Sequence, residues 1–278
     1  MNDAALFSAD RFLGYMALGF GTGLYGTLIG AGGGFVLMPI LLLLFPKENP
    51  EQLTSISLAV VFFNALGGSE AYAMMRRIDY RSGLMFAAAT IPGAIFGALN
   101  TSDVPRRLFD VMFGILLVAG AAFLLLRGRE DVRKMHHYRH EISRHLVEAN
   151  GVAFDYSFNP LMGIGLSFIV GYVSSFLGIG GGIIHVPAMT YFLNFPVHIA
   201  TATSHFVLAI MAFTGTMTHV VTGTFPHSAN LTLSLAIGVL LGAPVGAYLS
   251  NRIHGDWIIR GLAVALVVVG FRILIMSM

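Results

Sequence analysis

Cysteine is absent from the chain, which excludes disulfides and thiolate metal sites and leaves the redox compartment unmarked. Charge is nearly as scarce. Asp, Glu, Lys and Arg together make 11% of the 278 residues, against 56% apolar. Ordinary soluble chains carry about a quarter charged residues, so too little charge is present here to cover a soluble surface. Also missing is the apolar–polar alternation of a transmembrane barrel strand: Val264-Ala265-Leu266-Val267-Val268-Val269 is continuously apolar. The N-terminus lacks the basic region of a cleavable signal, since Asp3 and Asp10 precede Arg11. No nucleophile–base signature or phosphate loop occurs, and the glycine clusters lack the lysine that a nucleotide site needs. No cofactor is expected, and nucleic acid is not an expected partner.

What the chain does have is a series of apolar stretches long enough to cross a bilayer of roughly 30 Å. In lipid each backbone group must be bonded inside its own segment, so these spans are helices. The expected fold is an all-α, polytopic helical membrane protein, with the lipid bilayer as its first partner. Association with further copies of the chain stays open.

An internal repeat organises it. Gly30-Ala31-Gly32-Gly33-Gly34 with Pro39 recurs as Gly178-Ile179-Gly180-Gly181-Gly182 with Pro187. Thr54-Ser55 recurs as Thr203-Ser204, and Gly93-Ala94 with Gly97-Ala98 recurs as Gly242-Ala243 with Gly246-Ala247. Three landmarks in the same order argue for two homologous halves. The domains expected are a first transmembrane repeat over 12–127, a basic cytoplasmic linker over 128–159 and a second repeat over 160–276. Within each half a long glycine-interrupted segment (Phe12 to Phe45; Pro160 to Leu193) precedes three ordinary spans. These lie near Leu53–Met75, Gly83–Leu99 and Leu108–Leu126, and near Ile199–Val221, Leu231–Leu249 and Trp257–Ile275.

Arg127, Arg129, Arg133, Lys134, Arg139 and Arg144 crowd the joint between the halves and place it in the cytoplasm. Arg76, Arg77 and Arg81, two spans earlier, fall on the same side; Arg106 and Arg107 face the other way. A single helix from Phe12 to Phe45 would be about 51 Å long, too long for one crossing. A full helix, a glycine break and a shorter returning helix give each half an odd number of passes. The halves are then inverted, with both termini outside, whereas a segment that crosses only once would leave the halves parallel and both termini cytoplasmic.

Consecutive glycines in a membrane helix weaken it by roughly 1 kcal/mol each against alanine, and they let a ligand approach the backbone. A break also frees amide N–H groups at the next helix start, whose partial positive charge suits an anion. Gly32, Gly33, Gly34, Gly180, Gly181 and Gly182 are therefore the leading substrate-binding candidates. Close helix packing is the competing explanation. Pro39 and Pro187 open or kink the returning helix. The hydroxyls of Thr54, Ser55, Thr203 and Ser204 can donate to an oxyanion without a buried cation, although helix capping also uses such residues. His185 and His205, where the first half has Leu37 and Ile56, make the second half the more polar; they could couple transport to protons. Gly93/Gly97 and Gly242/Gly246, spaced four apart, fit helix crossings. Glu70, Asp110, His219 and Arg260 read as interfacial anchors. In the linker, His136 and His140 have a helical zinc spacing, but nothing completes a ligand set, so no metal site is assigned; a basic helix on anionic lipid accounts for the cluster.

The glycine–proline element, the Thr-Ser pair and the Gly-Ala-x-x-Gly-Ala element together resemble the TauE/SafE sulfite exporter family, from about Gly14 to Ile275. The long basic linker and Leu53-Thr54-Ser55-Ile56 depart from the family pattern. The resemblance implies export or exchange of a small anion such as sulfite or an organosulfur acid across a bacterial inner membrane, and a role for the glycine and Thr-Ser elements. The reading is a secondary anion transporter and not an enzyme. The alternatives are an anion or small-solute channel and, third, an intramembrane enzyme built on His185 and His205.

Overall fold

The computed structural model describes residues 9–126, 141–225, 229–250 and 255–277. The described residues form ten α-helices, one 3-10 turn and one hairpin. In the first half these are α1 (Ala9–Leu28), α2 (Gly34–Leu44), α3 (Pro50–Met74), α4 (Tyr80–Asn100) and α5 (Arg106–Leu126). The second half has α6 (Pro160–Leu177), α7 (Gly182–Phe192), α8 (Val197–Val221), α9 (Ala229–Ser250) and α10 (Gly255–Ser277). Five helices are long and apolar enough to cross a membrane: α3, α4, α6, α8 and α9. The chain is a polytopic helical membrane protein.

Each half has the same element order, including an 11-residue helix with an internal proline, Pro39 in α2 and Pro187 in α7. Both prolines are the sixth residue of their helices, so they neither open nor precede them. Contacts repeat as well: α1 packs on α9 as α6 packs on α4, and α3 meets both α8 and α9 as α8 meets both α3 and α4. Equivalent helices run antiparallel where they touch. Gly215 faces Leu58 while Gly68 faces His205, and Gly114 faces Leu274 while Gly120 faces Leu266.

The expected helix-crossing glycines serve packing. A Cβ on Gly93 or Gly97 would strike backbone atoms of Phe168, Tyr172 and Phe176; one on Gly242 or Gly246 would strike those of Phe20 and Leu24. These seams join α4 to α6 and α9 to α1, each pair parallel.

One departure from an all-helical chain lies in the linker. Residues Ile142–Val147 (β1) and Ala153–Phe158 (β2) pair antiparallel, with Ile142 opposite Phe158 and Val147 opposite Ala153. Arg144 and His145 therefore sit on a strand, not on a surface helix. His136, His137 and His140 lie outside the described residues. One face of the hairpin carries Ile142, Leu146, Phe154, Tyr156 and Phe158, which pack on Phe86 and Phe195. Its polar anchor is Asp79 in the α3–α4 loop. Asp79 accepts from the Ser82 amide (3.1 Å), the Ser82 hydroxyl and the Tyr156 hydroxyl (2.8 Å), and it lies 3.4 Å from Arg144. The Asp79 amide donates to Thr203 Oγ1 on α8 (3.0 Å), and buried Arg77 pairs with Glu148 (3.0 Å). Asn194, after α7, donates to the Ser157 carbonyl (3.1 Å). The hairpin thus ties the α3–α4 loop to α8 and to the end of α7.

Arg106, which reads from sequence as misplaced charge, has a structural task. Its guanidinium donates to the carbonyls of Leu42 (2.8 Å) and Glu48 (2.8 Å) while pairing with Asp110 (3.1 Å). It satisfies the C-terminal end of α2, where carbonyls lack intrahelical partners.

Candidate functional site

The two glycine breaks meet near the middle of the α3–α8 pair. Gly30, Gly32 and Gly33 have φ of 76°, 74° and 76°, and Gly178 and Gly180 have φ of 67° and 69°, a left-handed backbone that side-chain-bearing residues rarely adopt. Gly32 and Gly180 both rest on Val61 and Leu208. Those two are each the twelfth residue of a 25-residue helix, so the breaks lie at mid-span. They also touch each other: Gly34 abuts the Ile179 carbonyl, and Gly182 abuts Gly30 and Ala31.

At each break the chain turns sharply, with the Ala31 and Gly32 amides donating to Gly26 O and the Gly178 and Ile179 amides to Ser174 O. The next amides are left over. Among the described residues no backbone carbonyl accepts from Gly33, Gly34 or Phe35, nor from Gly181, Gly182 or Ile183. These are the opening amides of α2 and α7, two half-length helices whose N-termini converge in the interior. The buried carboxylates among the described residues, Asp79 and Glu148, are both in the hairpin anchor, and so is the buried Arg77. The meeting point of the breaks is therefore polar through backbone and neutral side chains.

The hydroxyls expected at the site divide. α3 and α8 begin at Pro50 and Val197 and end at Met74 and Val221, so structural equivalents are 147 residues apart. This corrects the register read from the Thr-Ser dipeptides: Thr54 corresponds to Thr201, Ser57 to Ser204 and Leu58 to His205. The contacts agree, since Gly178 lies on Thr54 while Gly30 lies on Thr201. Because the helices are antiparallel, Thr54 and Thr203 stand near opposite ends of the pair, about 24 Å apart at 1.5 Å per residue. Thr54, Ser55, Thr203 and Ser204 do not converge. Ser55 bonds back to Gln52 O (2.7 Å), and Thr203 serves the hairpin anchor. Thr54 and Ser204 are buried, and their hydroxyls have no hydrogen-bond partner among the described residues. Ser204 lies one turn before Leu208, which touches Gly32.

The histidines separate too. His185 faces Ser167 (3.2 Å) and meets Phe86 in a T-shaped contact (ring centroids 5.9 Å apart), and Phe86 joins the hairpin cluster through a T-shaped contact with Phe158. His205 reaches the first break. Its Nε2 lies 3.3 Å from Thr27 Oγ1, and Thr27 Oγ1 donates to Asn64 Oδ1 (3.1 Å). Tyr72 donates to the Thr27 carbonyl (2.8 Å) and packs edge-on against His205.

Sequence reasoning missed Asn64, Thr27 and Tyr72. The signal was an amide in the middle of a membrane span, a residue type that forms interhelical hydrogen bonds there. It also assigned the greater polarity to the second half. The polar cluster gathers around the first break, with His205 reaching over from α8.

The family model for the sulfite exporter TauE/SafE matches residues 15–273. The chain is 31% identical over 271 residues to the probable membrane transporter protein YunE of Bacillus subtilis, covering 95% of this chain and 97% of that one. It is 25% identical over 234 residues to a probable membrane transporter protein of Methanocaldococcus jannaschii, covering 82% and 80%. A probable membrane transporter protein of Xylella fastidiosa is 25% identical over 252 residues, covering 88% and 87%. No solved structure matches. With a family model that spans nearly the whole chain, and apolar helices that could carry it through a bilayer, this protein belongs to the sulfite exporter TauE/SafE family of membrane transporters.

Proposed function

We propose that the protein is a secondary transporter that exports or exchanges a small anion, sulfite or an organosulfur acid, across a bacterial inner membrane. The observation that carries this reading is the convergence of two half-helix N-termini at mid-span, each with amides that no carbonyl among the described residues accepts. Such amides favour negative charge through their partial positive charge and free donors. A site of neutral donors suits a carrier, because an anion held without a full ion pair is released as readily as it is bound.

The halves are read as inverted repeats. Equivalent helices α3 and α8 run antiparallel, as do α5 and α10. A two-fold axis relating antiparallel helices is perpendicular to them, so for membrane-crossing helices it lies in the membrane plane. That is the plan of transporters that expose one central site alternately to each side. The breaks touch in this structure, so the anion enters as that contact opens.

Purified protein in proteoliposomes tests the reading. Uptake of labelled sulfite should saturate and should accelerate when unlabelled sulfite is loaded on the opposite side. Uptake that rises linearly with concentration and ignores the opposite side would indicate a channel.

A further inference from the structure

The two breaks differ in backbone at one position, Gly33 being left-handed (φ 76°) where Gly181 is right-handed (φ −58°), and they are lined differently. Gly33 faces Thr22 and Asn64; Gly181, its counterpart, faces Val170, Ser174 and Met211. Asn64 and Met211 are the 147-residue equivalents on α3 and α8. The first break therefore has a carboxamide where the second has a thioether.

We infer that the anion is held on the first break alone, by the Asn64 side-chain NH2 together with the Gly33, Gly34 and Phe35 amides. Asn64 is 0% exposed, and its Nδ2 has no hydrogen-bond partner among the described residues. That nitrogen lies 3.8 Å from where a Cβ on Gly33 would sit, at the mouth of α2. A buried NH2 without an acceptor is costly, and an anion at the break supplies the acceptor.

The orientation of the amide follows from its neighbours. Thr27 Oγ1 lies 3.1 Å from Asn64 Oδ1 and 3.3 Å from His205 Nε2; its one hydroxyl proton goes to Oδ1 when the His205 tautomer carries its proton on Nε2, which then donates to Thr27. This chain fixes Oδ1 toward Thr27 and so turns Nδ2 to the break. Thr27 and His205 are positioning residues; Asn64 touches the anion. The ligand class is a small oxyanion, such as sulfite or a sulfonate, with several acceptor oxygens for a cluster of neutral donors.

The inference rests on the anion-transport reading, and the experiment separates the two. Full-length protein in detergent is titrated with sodium sulfite, and with sulfoacetate in parallel, by calorimetry. Asn64→Leu should weaken binding about ten- to a hundredfold, the loss of one hydrogen bond to a charged ligand. Asn64→Asp, nearly the same shape and so less disruptive of folding, should abolish it by placing a carboxylate against the anion. Thr27→Val should weaken binding severalfold, and Thr27→Ser, which keeps the hydroxyl, should restore it. Met211→Leu and Ser174→Ala, at the second break, should stay within about twofold of the unaltered protein.

Unchanged affinity in folded Asn64→Asp would overturn the inference, since it would mean that the side chain presents its oxygen to the α2 amides as a cap. A large loss in Ser174→Ala or Met211→Leu would move the anion to the second break. If the unaltered protein binds neither probe at millimolar concentration, the transport reading fails, and the inference fails with it.

Discussion

Replacing Asp79 by Asn should loosen the hairpin from the helices. In the native chain one Asp79 oxygen accepts from the hydroxyls of both Tyr156 and Ser82, while the other accepts from the Ser82 amide. An asparagine has a single acceptor oxygen, so either the two hydroxyls or the amide must face an NH2 group. At least one hydrogen bond to a charged group is lost, at about 1.5–3 kcal/mol. Arg144 loses its ion pair as well, but it keeps the Ser82 hydroxyl and its side chain is partly exposed, so screening holds that contribution to under about 1 kcal/mol. The total is about 2–4 kcal/mol. Hydrogen exchange measured by mass spectrometry should show faster exchange in peptides covering 142–158, with little change in α1 and α9, which have no part in the anchor. Tyr156→Phe alone should cost about 1.5–3 kcal/mol, and the double variant should cost less than the sum, because both changes remove the same bond. Additive costs, or hairpin exchange unchanged in Asp79→Asn, would refute the assignment of Asp79 as the anchor.

Other perturbations should have equally definite outcomes. Burial, reinforced by the Asp79 charge, pushes the Tyr156 hydroxyl above its ordinary pKa of 10. Its contribution to stability is therefore fully present below about pH 10 and lost as pH rises beyond that value; alkaline melting of the hairpin should be weaker in Tyr156→Phe, as read by hydrogen exchange at pH 9 and 11. Since the chain has no cysteine, single-cysteine variants give clean topology: Ser143→Cys should resist an impermeant thiol reagent in intact cells, whereas Ser102→Cys should react, and the reverse pattern would invert the orientation. Gly182→Leu should abolish transport by driving a side chain into Gly30 and Ala31, while wild-type-like uptake would show that contact between the breaks is dispensable. Ser204→Ala should weaken sulfite binding with little effect on melting temperature, because its hydroxyl has no partner among the described residues to lose.

The spans and breaks were legible in the sequence for plain physical reasons. Long apolar runs admit only helices in lipid, and consecutive glycines can hardly extend a helix. Gly93 and Gly97 declared their seam by spacing alone. The hairpin was also written there, in the strict alternation of Phe154, Tyr156 and Phe158 with small or polar residues and in the Asn150-Gly151 turn, but the basic charge of the linker drew the reading toward a lipid-bound helix. The equivalence of Thr54 and Thr203 failed because matching dipeptides is a weaker guide than matching helix starts: a two-residue slip turns a side chain about 200° around a helix. Convergence was beyond reach of the sequence altogether. Whether four hydroxyls meet depends on where along their lengths the antiparallel α3 and α8 pack together, which no local pattern encodes, and the same packing brings His205 from the second half to Thr27 in the first.

The glycine seams bear on how the molecule can move. Along α1 and α9, and again along α4 and α6, backbone lies directly against backbone, with no side chain between them to slide or change rotamer. Each seam joins a helix of the first half to one of the second. The covalent halves are thus clasped through one another, and neither can swing as a unit without tearing both seams. The mechanical bodies are the mixed pairs, α1 with α9 and α4 with α6. Any large displacement must pass between these pairs, along the α3–α8 contact, where side chains such as Val61 and Leu208 can repack, and through the glycine breaks that rest on it.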